Sequence, residues 1–202
     1  MAIELVALII FSVAQIGTPG PANMALLATG ASFGLRRALP FVAGVVVGKQ
    51  LIIWPLGFGL MQIAESWPVV FLVMKYLSAV YIIYLAWRVA NMRLKLGEGE
   101  GSAPGFWAGV VVHPLNPKAW GMITAAFTSF VVAGTDALSA TFSIAMVLLL
   151  CQTILHPLWA GAGQLIARTI QGTAAERGVF IALACLTIAT VFYALFGLGF
   201  VT

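Results

Sequence analysis

Between Leu5 and Leu35 the chain carries no charged side chain, yet Pro19-Gly20-Pro21 stands in the middle of that run. The run exceeds the roughly 20 residues a helix needs to cross the hydrocarbon layer. Two prolines inside it remove backbone donors and obstruct the preceding turn, so a helix there must bend or open. In lipid, opened backbone survives only where protein or a watery cavity satisfies it. Gly17 through Met24 is therefore the first place to look for a binding or translocation site.

The rest of the chain fits a membrane setting. Of its 202 residues 62% are hydrophobic and only 8% charged, where a soluble domain carries about 25% charge. Ten Lys+Arg against six Asp+Glu give a formal charge of +4, but the basic residues are scattered between apolar runs. That pattern suits orientation in a bilayer and not nucleic-acid binding. Cys151 and Cys185 make neither a zinc pattern nor a disulfide framework and read as small buried side chains. Met1 through Glu4 lacks the positive region of a cleavable signal, so the first segment is expected to be retained. No phosphate-binding loop, paired-carboxylate or nucleophile-base arrangement is present, so neither an enzyme nor a cofactor is expected.

Breaks at charges and turn residues predict an all-α polytopic membrane protein, a single domain over 1–202. Its six transmembrane helices are expected near 4–30, 39–62, 68–88, 106–132, 138–165 and 178–200. Arg36 and Arg37 mark the first connection, Arg88, Arg93 and Lys95 the third, Arg168 and Arg177 the fifth. Glu65 and Asp136 mark the second and fourth. The positive-inside rule then places the odd connections in the cytoplasm and both termini outside. A re-entrant segment near 106–118 is the alternative for the irregular start of the fourth span.

Pro19-Gly20-Pro21 in the first span has a counterpart in Pro114-Leu115-Asn116-Pro117-Lys118 in the fourth. With three spans between them, equivalent halves enter from opposite faces. This predicts a 3+3 inverted repeat, 1–95 and 104–202, with broken helices 1 and 4 meeting near the midplane.

Lys49 and Lys75 lie deep in the second and third spans. Each has two readings: the ammonium snorkels to the interface, or it faces a pathway. Gln50 follows Lys49, and Tyr76 follows Lys75. Glu4, Glu65, Glu98, Glu100, Asp136 and Glu176 all fall outside the predicted spans, so no buried carboxylate awaits a cation. A substrate carboxylate, met by lysine and by helix amino ends, suits such a site better. Carbonyls freed by Pro19, Pro21 or Pro117, with Asn23 or Asn116 helping, would receive a substrate ammonium. His113 and His156, both preceding prolines, read either as proton relays or as structural groups at helix kinks; without acidic companions they do not make a metal site. Trp120 and Trp159, near prolines, are candidate pocket walls. Gly30 with Gly34, Gly44 with Gly48, and Gly105 with Gly109 permit close helix crossings within the chain or in a homodimer.

The chain resembles the LysE/RhtB family of bacterial amino acid and homoserine/threonine exporters over nearly its whole length. The resemblance rests on Pro19-Gly20-Pro21-Ala22-Asn23, on Gly30, Gly34, Gly44 and Gly48, on Lys75-Tyr76-Leu77 through Leu85, and on Phe106-Trp107-Ala108-Gly109 leading to Leu115-Asn116-Pro117-Lys118-Ala119. It implies a bacterial inner-membrane carrier, embedded in the lipid bilayer, that exports amino acids or related small metabolites on an ion gradient. Lys75 matches the family lysine, and Lys49 is this chain's own. Pathway candidates are Pro19, Gly20, Pro21, Asn23, Lys49, Gln50, Lys75, Tyr76, Asn116, Pro117, Lys118 and His156. An exporter of a non-amino-acid metabolite or ion, or a non-transporting membrane scaffold, is the alternative.

Overall fold

The computed structural model describes residues 3–60, 80, 83–84, 87, 102–170 and 172–192. Among them every extended element is a helix, with one isolated bridge between Ile3 and Val131. In chain order these are α1 (Leu5–Gly17), α2 (Pro21–Phe33), α3 (Leu35–Pro55, continued by a wider turn at Leu56–Leu60), α4 (Phe106–Val110), α5 (Pro117–Phe130), α6 (Ala137–Ile170) and α7 (Ala175–Phe192). Leu35–Gly59 and Ala137–Ile170 are each long and apolar enough to cross a membrane, and α1 with α2 makes a third such segment bent by 54°. The expected third span at 68–88, with Lys75 and Tyr76, lies almost wholly outside the described residues, and the sixth is described only through Phe192.

The bend between α1 and α2 follows from its two prolines. Thr18 N–H closes the last turn of α1 on the Ala14 carbonyl at 3.0 Å. Pro19 then has no donor to continue the helix, Gly20 is extended, and Pro21 takes the first position of α2, where a missing N–H costs nothing. The carbonyls left at the break find side-chain donors. Asn23 Nδ2 donates to Ile16 O at 2.6 Å and Thr18 O at 2.7 Å, and Trp159 Nε1 reaches Ile16 O at 3.3 Å.

The expected fourth span is broken in the same way. α4 has only five residues, and a series of turns over 111–115 leads to Asn116, whose side chain accepts from Lys118 N–H at 3.1 Å. Pro117 then opens α5, as Pro21 opens α2. Trp120 Nε1 donates to Pro114 O at 2.9 Å, so each break has an indole bonded to one of its carbonyls. Trp120 and Trp159 thus serve the backbone and do not wall the cavity.

The first connection differs from the expected polar loop. α2 and α3 meet at the single residue Gly34, whose φ of 77° turns the chain in a conformation that glycine tolerates. Gln164 Oε1 accepts from Leu35 N–H at 2.7 Å and satisfies one of the first donors of α3. Arg36 and Arg37 therefore lie in the first turn of α3. At the other polar joint, Asp136 accepts from Ser139 N–H at 2.9 Å and caps α6, which holds its carboxyl below the usual value.

Small residues set the packing. Gly30 lies against the Ala160 backbone and Gly163 against Leu27, so α2 and α6 touch main chain to main chain. Gly44 and Gly48 on α3 meet Phe106, Gly109 and Val110 in the same manner. Such contacts supply the close van der Waals packing that holds helices together in lipid. Gly34 acts as the joint instead, and a Cβ added at Gly105 would meet nothing within 4 Å among the described residues. Leu8, Ile16, Ile52, Ile53, Ile123 and Leu148 form the largest core where α1, α3, α5 and α6 meet. Glu4 N–H bonds Phe130 O at 2.9 Å, while the far end of α1 lies beside the start of α5, so these two half-helices run antiparallel.

Replacing Gly30 with Val forces a side chain into the Ala160 backbone and is expected to cost about 1–3 kcal/mol or more, whereas Gly121→Ala, in open space within α5, should stabilise by about 0.5–1 kcal/mol. Asn23→Ala leaves two carbonyls of the break short of a donor and should cost about 1–3 kcal/mol. Thr29→Val, which exchanges only a hydroxyl bonded to the Ala25 carbonyl of its own helix for a methyl group, should cost about 0.5–1.5 kcal/mol. Unfolding of the four purified variants in detergent measures all of these.

Candidate functional site

The two breaks open onto one cavity. Its walls are Gln15 and Ile16 from the end of α1, Gly20, Ala22 and Asn23 from the start of α2, Lys49 from α3, His113 and Asn116 from the turn before α5, Lys118, Ala119 and Met122 from α5, and His156 from α6. The free volume is about 20 Å³, room for about one water molecule. An amino acid cannot fit until the helices part.

Lys49 is 2% exposed. Its Nζ lies 3.6 Å from Met122 Sδ, a weak acceptor, and no described residue forms an ion pair with it. Burying an ammonium without an anion is costly, so the position favours an arriving negative group. Gly20, Ala22 and Asn23 at the start of α2 line the same space, and helix amino ends favour anions.

Lys118 bridges the breaks. Its Nζ donates to Thr18 Oγ1 at 2.8 Å and lies 3.4 Å from Pro19 O and 3.5 Å from Thr18 O. Its stem passes over Gly20, where an added Cβ would come within 3.2 Å of it. The Lys118 head group thus sits on the carboxyl end of α1, where helix polarity favours a cation.

Also at the cavity, the rings of His113 and His156 stack, with centroids 5.7 Å apart and planes 28° from parallel. They are 3% and 1% exposed. Gln152 Nε2 lies 3.4 Å from His113 Nε2, while Nδ1 of both rings and Gln152 Oε1 have no partner among the described residues. His156 precedes Pro157, which cannot donate within α6, so His156 lies in a weakened part of that helix.

Of the residues singled out from the sequence, Gly20, Asn23, Lys49, Asn116, Lys118 and His156 face the cavity. Pro19, Pro21 and Pro117 shape its rim through the backbone. Gln50 points elsewhere and donates to Ala145 O at 3.3 Å, tying α3 to α6. Lys75 and Tyr76 lie outside the described residues. Gln15, Met122 and Gln152 were not foreseen: each sits in an apolar helical stretch with no local mark of function. His113 was legible as a polar residue before a proline, although its partnership with His156 was not.

Residues 13–202 match the LysE type translocator family. The cysteine/O-acetylserine efflux protein of Klebsiella pneumoniae is 32% identical over 154 residues, covering 75% of this chain and 77% of that protein. The protein of the same name from Escherichia coli K12 is 29% identical over 167 residues, covering 82% and 85%, and that of Salmonella choleraesuis is 27% identical over 166 residues, covering 82% and 85%. No solved structure matches the chain. A match that spans nearly all of the sequence, around a cavity built from its two broken helices, makes the chain a member of the LysE type translocator family, which consists of transporters and not enzymes.

Proposed function

We propose that the protein exports small zwitterionic amino acids or close derivatives from the cytoplasm across the bacterial inner membrane, by alternating access and at the expense of an ion gradient. The observation that carries this reading is Lys49, a buried lysine head group without an anionic partner among the described residues, at the cavity where the two breaks meet. The substrate's carboxylate would complete the pair, with Lys118 and the amino end of α2 as further donors. Cysteine and O-acetylserine, named in the relatives' titles, are small neutral zwitterions of this kind.

Alternating access needs an element on each side that can move. The antiparallel α1 and α5, each ending in a proline break at the cavity, are consistent with inverted halves rocking about a fixed site. The narrow cavity agrees with a closed state in which Lys118 holds the breaks together through Thr18 and Pro19. Release of those bonds would free the Lys118 ammonium for the substrate and loosen the contact between the halves. The remaining third and sixth spans, with Lys75 and Tyr76, belong to the proposal on sequence grounds alone.

Counterflow in proteoliposomes with a panel of labelled amino acids and O-acetyl-L-serine tests the reading. Wild-type protein should exchange at least one small neutral member of the panel. Lys49→Met, which keeps the stem and removes the charge, should weaken apparent affinity by about tenfold to a hundredfold, the worth of a charge-assisted hydrogen bond. Thr128→Ala, at an exposed position on α5, should exchange like wild type. Robust flux of some other compound and none of any amino acid would overturn the substrate assignment. Undiminished exchange by Lys49→Met would remove Lys49 from the site.

A further inference from the structure

Several acceptors at the two breaks already have donors. Ile16 O and Thr18 O accept from Asn23, Pro19 O lies against Lys118, Pro114 O accepts from Trp120, and Asn116 Oδ1 caps α5. Among the described residues, the cavity-lining side chains that are buried and retain an unpartnered polar atom are His113 and His156, each at Nδ1. Gln152, behind them, keeps an unpartnered Oε1.

From this juxtaposition, and resting on the amino acid export proposed above, we propose that the stacked His113–His156 pair binds the substrate ammonium and a proton in mutual exclusion, so that this pair couples export to proton entry. A neutral imidazole offers one lone pair, which can accept an N–H from an ammonium group. A protonated ring has no lone pair and repels the same group. The two ligands therefore cannot share a ring nitrogen.

Gln152 sets which nitrogen of His113 changes. With its amide turned so that Oε1 faces the ring, His113 Nε2–H donates to it in both protonation states, and Nδ1 alternates between a lone pair and N–H. Oxygen and nitrogen of an amide occupy equivalent places, and the hydrogen-bond network decides between them. Gln152 is thus a positioning residue. Among the described residues, the charged and titratable groups around the pair are Lys49 from α3 and Lys118 from α5, with Cys151 of α6 beside Lys49. The packed ends of α1 and α2 contribute only uncharged Gln15 and Asn23. Two positive rings stacked at this distance beside these ammonium groups would repel, so the pair carries one proton at a time.

The exchange balances. On the outer side the zwitterion leaves and one proton binds the vacated nitrogen. After return to the inner side that proton passes to cytoplasmic water, and the ammonium of the next zwitterion takes its place. One proton enters for each zwitterion exported, and no bond other than N–H is made or broken.

The test uses full-length protein, purified by a tag without histidine, with reduced L-cysteine as the probe. Its apparent affinity should fall as pH is lowered from neutrality, with a slope approaching tenfold per unit where the pair takes up its proton, because one proton competes with one ammonium. The His113→Gln/His156→Gln protein should bind more weakly and with no such slope. A flat wild-type profile, or a slope that persists in the double variant, overturns the proposal. Should the double variant fail to fold, wild-type protein still decides. The chain contains only two histidines, so selective ¹⁵N-histidine labelling reads the pair directly. Cysteine added at the acid end should convert imidazolium signals to neutral ones, and unchanged signals with cysteine bound would refute exclusion. If wild-type protein neither binds nor exchanges cysteine or any other amino acid, it is the export reading beneath the proposal that fails. Amino acid exchange with unaltered histidine signals defeats the histidine proposal alone.

Discussion

Backbone carbonyls that lose their helical donors inside a membrane must find others, and this requirement governs the fold around both breaks. Pro19 and Pro21 strip donors from the first hydrophobic run, and Pro114 and Pro117 do the same in the second half. The replacements are side chains, some local and some distant in sequence: Asn23, Lys118 and Trp159 at the first break, Trp120 at the second. Because Lys118 belongs to one break and its acceptors to the other, satisfying the backbone also brings the two halves together. The cavity is the space left where these bonds converge.

Packing then fixes what faces that space. Backbone-to-backbone contacts at Gly30 and Gly163 bring α6 onto α2, and those at Gly44, Gly48 and Gly109 bring α3 onto α4. With these crossings in place, Lys49 and His156 reach the cavity from α3 and α6, and His113 arrives from the turn after α4. The cavity thus gathers two lysines, a helix amino end and a histidine pair; in the proposed function the first two serve a substrate carboxylate, and in the further proposal the histidines serve its ammonium group or a proton.

Much of this was legible in the sequence because it rests on residue types with strong physical consequences. Proline breaks in an uncharged run, a lysine with no acidic residue in any span, and paired proline motifs in the two halves all point to a membrane site. Gly20, Asn23, Asn116 and Lys118 could be chosen on those grounds alone. Gln50 could not be sorted from Lys49, because adjacent residues on a helix face different neighbours and the sequence does not reveal which face meets the cavity. The near absence of a loop at Gly34 was hidden for a related reason. Arg36 and Arg37 look like a connection, whereas one residue with positive φ and the distant Gln164 suffice to start the next helix. The stacking of His113 on His156 depends on how three helices cross, which residue spacing does not encode.

The central claim is that the substrate occupies the space between the two proline breaks. In protein with Cys151 and Cys185 replaced by Ser, single cysteines at Ala22 and Ala119, both cavity-lining, can be labelled with a small membrane-permeant thiol reagent, with and without a saturating transported amino acid. The account predicts that substrate slows labelling several-fold at both positions and leaves labelling at Ser139→Cys, on the exposed start of α6, unchanged. Equal labelling rates at Ala22 and Ala119 with the substrate bound would contradict it.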